Sequence, residues 1–470
     1  MPTITSLGIG SGLDVESIVS KMVALEKQPL TQLQTQQADI TSKISLVGQI
    51  QSQVSALASA ADKLSQSSAW SGMTLSSSDS AITGTVAGTA TATSFNFSVQ
   101  QMARAQSTAS SALAAGTALG ANGSLSITLG TWNNASPPPT FSPGAATAVN
   151  VGIDASDTVD SIATKINSAN AGVTATVLND ASGQRLLVRS SQTGTAAGFR
   201  IQTTGDAALG ALAFDPAAGS TGMAANAYQM GQDTQATING IGVTSANTQI
   251  AGAIPGVTLD VSAVSTQPAL ITIAPDTTSM RKNINDFVAS YNSLSKTLTD
   301  ATKYDETNKT AGPMQGDSAI VGMQFALRQL LGSSSATGGA FSRLADVGLD
   351  MQQGGVLTTN SKLDTAMGNL GDLQKLFTAD STDTASSGFG VKIKAFAQGL
   401  LDASGTVGNE SSALQSQLQR NAEEQDKVDA HAAAFEKQLR AQYSALDGQM
   451  AQLNALNSYV TQQLAAWNKA

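Results

Sequence analysis

An α+β multidomain architecture is predicted: terminal coiled-coil-like helices and a helical leg domain carrying inserted β-rich head domains. Three observations predict it. Residues from about Leu33 to Leu64 and from about Leu414 to Trp467 carry apolar side chains at alternating steps of three and four, the spacing of a helix–helix seam. From roughly Gly72 to Pro275 the chain is rich in Thr, Ser, Ala, Gly and Val and lacks that rhythm. From Asp276 the helical period returns. Long amphipathic helices at both ends can pack on each other or into a partner's matching helices, and the middle then forms a separate body.

The elements follow in order. Leu7-Gly8-Ile9-Gly10-Ser11-Gly12-Leu13-Asp14 opens with three glycines in five residues, a flexible, extended start. Asp14 is the expected N-cap of a short helix whose apolar face is Val15, Ile18, Val19, Met22 and Val23. Pro29 breaks or restarts it, because proline is tolerated mainly in a first helical turn. The next helix carries Leu33, Ile40, Ile44, Val47, Ile50, Val54, Leu57, Ala61 and Leu64.

Beyond Met73 the period changes to two. Ala81–Val86, Ser94–Val99 and Ser124–Leu129 read as strands, and Pro137-Pro138-Pro139 as an exposed loop. Val149–Ile153 is a strand. Ser156 or Asp157 is expected to cap a helix whose Val159, Ile162, Ala163 and Ile166 share a face. Val173–Val177 and Arg185–Val188 are expected to pair across Asn179–Gly183. Asn239-Gly240 marks a tight turn within Ala236–Val243. Val257–Val264 and Ala269–Ala274 complete the β-rich body.

The helical part that follows has one face of Met280, Ile284, Phe287, Val288, Tyr291, Leu294 and Leu298. A helix over Ile320–Leu331, a hairpin turning at Gly354-Gly355 and a helix over Leu363–Phe377 come next. In the last helix the seam from Leu439 reads Tyr443, Leu446, Met450, Leu453, Asn457, Val460, Leu464 and Trp467. Asn457 takes an inner position there, where a buried polar residue lowers stability but helps fix register and partner number.

Composition narrows the function. Among 470 residues only 13% are charged and 4% aromatic, so Ser, Thr, Asn and Gln must cover much of the surface. The net charge of −9 comes without a Lys/Arg run, which argues against nucleic acid or an anionic membrane as partner. With no cysteine there are no disulfides, thiolate metal sites or Cys nucleophiles. His431 is the sole histidine and is read as a solvated or seam-edge helix residue. The N-terminus shows no cleavable secretion signal and no apolar run is long enough for membrane insertion.

Asp154, Asp157 and Asp160 are spaced in threes, which does not match an EF-hand loop, and read instead as helix capping and dipole complementation. Gly8 to Gly12 lacks the sixth-position glycine and preceding strand of a dinucleotide fingerprint. No catalytic, cofactor-binding or metal residue is nominated, and no enzyme activity is expected.

Leu7-Gly8-Ile9-Gly10-Ser11-Gly12-Leu13-Asp14-Val15-Glu16-Ser17-Ile18-Val19 resembles the N-terminal signature of the bacterial flagellar filament cap proteins, the hook-associated protein 2 family. Further similarities follow in that family's order. They include Phe97-Ser98-Val99-Gln100-Gln101-Met102-Ala103-Arg104-Ala105-Gln106, the Ile153–Asn167 and Val173–Leu187 repeat shared with flagellins, Ile254-Pro255-Gly256-Val257-Thr258-Leu259, Phe287–Asn292, and Tyr459–Trp467. The resemblance spans nearly the whole chain; the stretch from about Gly116 to Pro143 departs from it.

The resemblance implies terminal domains over 1–40 and 426–470, a leg over 41–72 and 276–425, and a head over 73–275 with an inner domain inserted at about 107–230. It implies an extracellular protein at the flagellar tip, exported by flagellar type III secretion without a cleaved signal peptide. Its copies would form a ring-like homo-oligomer that helps flagellin fold and insert and prevents subunit loss. The implied partners are flagellin subunits, hook-associated junction proteins and a flagellar export chaperone at the C-terminal region.

The expected assembly residues are Leu7, Gly8, Gly10, Gly12, Leu13, Asp14, Ile18, Tyr443, Leu446, Met450, Leu453, Asn457, Val460, Leu464 and Trp467. The Gly-rich start and the terminal seams are expected to order on meeting filament subunits. The alternative is a secreted adhesin at the flagellar tip whose head binds host surface glycans.

Overall fold

The structure, a computed structural model, describes residues 14–88, 90–135 and 137–467. The chain divides into a helical unit, built from the stretches up to Trp70 and from Thr277, and a β-rich unit over Ser71–Asp276.

Helix α1 (Val15–Glu26) starts where Asp14 accepts a hydrogen bond from the Ser17 N–H at 3.0 Å. Helix α2 (Gln28–Ser65) starts again after Lys27 with Pro29 in its first turn, where the missing N–H would have no helical partner anyway. Its second half buries Val47, Ile50, Val54, Leu57, Ala61 and Leu64 as one stripe. Beyond it Trp70 folds back. Its indole N–H donates to the Leu64 carbonyl at 2.9 Å and its ring stacks on Phe377 at 5.3 Å, so a large aromatic is buried with its polar handle satisfied.

The β-rich unit holds two cores. Its chain enters through β1 (Met73–Ser77), β2 (Ile82–Val86) and β3 (Thr93–Gln101). An inner portion follows: β4 (Ser107–Ala109), β5 (Gly123–Asn133), β6 (Thr140–Pro143), β7 (Val149–Ile153), helix α3 (Val159–Ser168), β8 (Val173–Asp180), β9 (Gly183–Ser190) and β10 (Gly198–Gly205). The chain returns through β11 (Thr234–Ile238), β12 (Ile241–Ser245), β13 (Gln249–Ile254), β14 (Val257–Val261) and β15 (Ala269–Pro275).

The outer strands form antiparallel sheets β1-β15-β3-β11-β12 and β13-β14-β2, which share a core that includes Phe97, Val99, Leu259 and Ile271. The inner strands form β10-β5-β6, with β7 also on β5, and β4-β9-β8. Their core takes Ile127 and Phe199 from strands and Ile162 and Ile166 from α3. Asn239 and Gly240 have φ of 48° and 84° and join Ile238 to its register partner Ile241, the left-handed pair that a two-residue hairpin turn requires.

One expectation in this unit is corrected. The cap of α3 is Thr158, not Ser156 or Asp157: the Thr158 hydroxyl accepts from the Ser161 N–H while Ser161 Oγ accepts from the Thr158 N–H. This reciprocal box satisfies two helix-end donors at once. Pro137-Pro138-Pro139 lies outside any strand, as expected of a loop, and the chain beyond it pairs as β6 with β5 in the register Trp132↔Phe141.

The helical unit resumes with α4 (Thr277–Thr302) and α5 (Ser318–Gly332), then a hairpin of Leu349–Met351 and Leu357–Thr359. Tyr291 on α4 donates its hydroxyl to the Gly355 carbonyl in that hairpin turn at 2.9 Å. Leu363–Phe377 is not one helix. It divides into α6 (Lys362–Met367) and α7 (Leu370–Thr378) at Gly368-Asn369, where glycine offers little to hold a helix interior together. Helix α8 (Phe389–Leu401) precedes the longest element, α9 (Thr406–Trp467). One apolar core joins α2, α4, α5, α6, α7, α8 and the beginning of α9.

Candidate functional site

Among the described residues no cluster of His, Asp or Glu could hold a metal ion, and no helix is long and apolar enough to cross a membrane. His431 lies exposed on α9 with Nδ1 3.4 Å from Glu26. Asp154 and Asp157 both receive the Lys165 ammonium, at 2.8 and 2.5 Å. Burial pushes the Asp157 carboxyl up, but the Asp154 N–H, Lys165 and Ser161 together hold it below its ordinary range. The Asp157 carboxylate, accepting from the Asp154 N–H and the Ser161 hydroxyl, organises the start of α3.

The candidate surface is therefore the terminal helices. Helix α1 runs antiparallel to α9. Glu16 near its start meets Arg440, and Lys27 just past its end meets Asp429 at 2.8 Å. The Glu16–Arg440 pair is a two-pronged contact with both N···O distances 2.7 Å, and Arg440 Nε also donates to Glu436 at 2.8 Å. The guanidinium holds the Glu16 carboxyl below its usual range. Along this contact Val15, Val19 and Leu439 are buried, with Val23, Phe435 and Tyr443 packed against them.

Farther along, α2 takes over from α1 as the neighbour of α9. Asn421, 7% exposed, donates to the Leu33 carbonyl at 3.1 Å, and Gln425 donates to Gln37 at 3.1 Å and to Asn421 at 2.6 Å.

The assembly residues named from sequence fall into three groups. Leu7, Gly8, Gly10, Gly12 and Leu13 lie outside the described residues. Asp14 caps α1, Ile18 is half-buried, and Tyr443 closes the small α1–α9 cluster. Beyond Tyr443 the seam is open: Leu446, Leu453, Val460 and Leu464 are exposed, Leu453 by 57% and Leu464 by 53%, and Met450 is half-buried. Trp467 ends the helix, and its side chain lies outside the described residues.

One expectation needs correction here. Asn457 is exposed, because no helix among the described residues covers that turn; the buried polar residue of the pair is Asn421. The bidentate Glu16–Arg440 contact was not anticipated either, and only the Glu436/Arg440 spacing of four hinted that this guanidinium is held in place.

What α9 presents beyond Tyr443 is an apolar stripe on a helix whose backbone hydrogen bonds are already made. Such a surface binds by being covered, not by reacting.

Comparison with known proteins bears on this surface. Residues 231–455 match the family model for the flagellar hook-associated protein 2 C-terminus, residues 11–106 that for its N-terminus, and residues 140–192 the flagellin hook IN motif. The flagellar hook-associated protein 2 of Escherichia coli is 29% identical over 482 residues, covering 98% of both chains. The B-type flagellar hook-associated protein 2 of Pseudomonas aeruginosa is 28% identical over 488 residues, covering 98% of this chain and 97% of that one. The crystal structure of the flagellar cap protein FliD D1-D2-D3 domains from Escherichia coli superposes with a TM-score of 0.58 at 26% identity, over 79% of this chain and 99% of that one.

Proposed function

Because the chain belongs to the flagellar hook-associated protein 2 family, we propose that it is a structural cap at the distal tip of a bacterial flagellar filament. In this reading several copies form a closed homo-oligomer at the extracellular tip, reached through the flagellar type III channel. There they help incoming flagellin fold and insert and keep subunits from leaving. Flagellin, hook-associated junction proteins and, before export, a chaperone at the C-terminal region are its partners.

The observation that carries the reading is the open seam of α9. Leu446, Leu453, Val460 and Leu464 repeat at steps of seven, seven and four and stay exposed in the single chain. A helix stripe of that length gains stability only when another helix covers it. The absence of cysteine suits a subunit threaded through a narrow channel, because no crosslink can lock it. No described feature of the β-rich unit favours the adhesin alternative.

The test is deletion of Tyr443–Ala470. The truncated chain is expected to keep both units folded, read by circular dichroism and cooperative unfolding, and to support no filament growth in cells lacking the native protein. Normal motility from it would sink the proposal.

A further inference from the structure

Strand β12 ends the outer sheet, with β11 as its one neighbour. The two-residue turn at Asn239-Gly240 makes Ile238 and Ile241 the first hydrogen-bonded pair of this hairpin. Antiparallel alternation then points the backbone of Val243 and Ser245 at Ala236 and Thr234. It points the N–H and C=O groups of Gly242 and Thr244 outward. Both residues are exposed, and among the described residues no hydrogen bond reaches these outward groups.

The edges of β8, β10, β4 and β13 are each protected. On β8 the Asn167 side chain of α3 stands in for a neighbouring strand. Its amide oxygen accepts from the Ala175 N–H at 2.7 Å and its amide nitrogen donates to the Ala175 carbonyl at 2.8 Å. Ile201 of β10 exchanges two backbone hydrogen bonds with Phe214, and Ser107 of β4 does so with Gln229. β13 is interrupted by a register shift between Ala251 and Ile254, with Gly252 at a φ of 77°. Covering or bending an edge keeps it from pairing with another chain.

β12 has none of these devices. It contains no proline, its register against β11 is unbroken, and no residue from Thr234 to Leu259 is charged. Ile241 at its start is 72% exposed. The outward groups define their partner: an extended, uncharged strand offering one N–H and one C=O at every second residue. A second β12 does this in register. About a two-fold axis through Val243, Gly242 of each copy lies opposite Thr244 of the other, and each such pair exchanges two backbone hydrogen bonds. Ile241 then gains cover beside Ser245 of the other copy.

We propose that β12 is a two-fold contact between copies of this chain, made by antiparallel strand addition through Gly242 and Thr244. Two-fold pairing closes at two copies and uses the edge up, so it is a different contact from one that builds a ring. It rests on the backbone geometry of the hairpin and not on the cap reading.

The chain has no cysteine, so single thiols can test the register. Val243→Cys sets two thiols opposite each other in a non-hydrogen-bonded pair, with Cα atoms about 4.5 Å apart and within disulfide reach. Thr244→Cys sets them on a diagonal of roughly 7–8 Å, beyond that reach. The full-length variants are oxidised with oxidised glutathione and the linked dimer is quantified on non-reducing gels. Val243→Cys should crosslink at least about tenfold faster than Thr244→Cys.

Adding Thr244→Pro to Val243→Cys should abolish the crosslink, because proline removes the outward N–H. That N–H makes no bond to β11, so the fold should survive, as cooperative thermal unfolding checks. Thr244→Lys leaves the backbone groups in place and sets like charges near the axis, and should also slow the crosslink. No linked dimer from Val243→Cys, equal rates for the two cysteine variants, or a rate that both further Thr244 substitutions leave unchanged overturns the proposal. Filament growth reads the cap and the crosslink reads this contact, so each can fail without the other.

Discussion

The stretches 406–440 and 441–467 belong to one continuous helix but differ in surface chemistry. The first carries ten Asp, Glu, Lys and Arg residues, the second only Asp447. In the first stretch the charges do directional work: Glu16 on Arg440 and Lys27 on Asp429 permit only the antiparallel arrangement of α1. Apolar contacts and the Asn421 hydrogen bond then fill the space between the helices. The second stretch has almost no charge with which to choose a direction, and its apolar stripe is open. One half of α9 is thus packed against its own chain, and among the described residues the other half stays open.

The largest expected effect separates core from seam. Leu57→Ala, in the stripe that α2 buries, should cost about 2–5 kcal/mol, whereas Leu453→Ala should change stability by no more than about 0.5 kcal/mol. Urea unfolding of the two purified variants checks this. Equal losses would mean that the seam is already covered in the isolated chain.

The next effect compares the two asparagines. Asn421→Ala removes a buried hydrogen bond to Leu33 and should cost about 1 kcal/mol, while Asn457→Ala should leave the unfolding midpoint unchanged. A reversed order would return the buried polar role to Asn457.

Salt sharpens the contrast further. Raising sodium chloride from ~0.1 to ~0.5 M screens exposed charges. Amide exchange should therefore quicken modestly in α1, whose hold on α9 includes exposed ion pairs. Attachment of the chain to filament ends, measured by co-sedimentation, should change by less than about twofold. A steep salt dependence of attachment would mean that charged surfaces, not the uncharged seam, make the contact.

The smallest effect is set by pH. The Glu16 carboxyl is held below its ordinary value when α1 is docked. Its contribution is therefore complete above the unfolded value of about 4.3 and is lost as pH falls through the depressed docked value. Protection of α1 amides should fall on acidification below about pH 4.3, after correction for intrinsic exchange. Arg440→Gln should remove most of that dependence. If the dependence survives Arg440→Gln, another group controls docking.

Much of this organisation was legible in the sequence. Asp14 as a cap, the α2 stripe from Val47 to Leu64, the shared face of α3 and the Asn239-Gly240 turn each follow from local geometry that the residues dictate. What was not legible depended on partners distant along the chain. β6 is hidden because Thr140–Pro143 has weak strand character and owes its extended form to pairing with β5. α8 is short and mostly apolar, so its pattern gives little sense of an inward face.

Gly368-Asn369 gives too slight a signal to divide Leu363–Phe377 in advance. The interior position assigned to Asn457 was read from spacing alone, and spacing tells which residues share a face but not whether anything covers it. Asn421, at the same kind of position, is covered because α2 happens to pass there.

The unbroken backbone of α9 has a kinetic consequence. Starting a helix is the slow and unfavourable event, with a nucleation parameter on the order of 10⁻³, whereas adding residues to an existing one is close to neutral. In α9 the turns held by α1, α2 and the helical core are a permanent nucleus. If the segment past Tyr443 frays, it does not have to start a helix again when a partner arrives. It lengthens one already present, at a rate of nanoseconds per residue. Under the cap reading, a segment that lets go of its partner restores its helix by extension alone, with no new nucleation step.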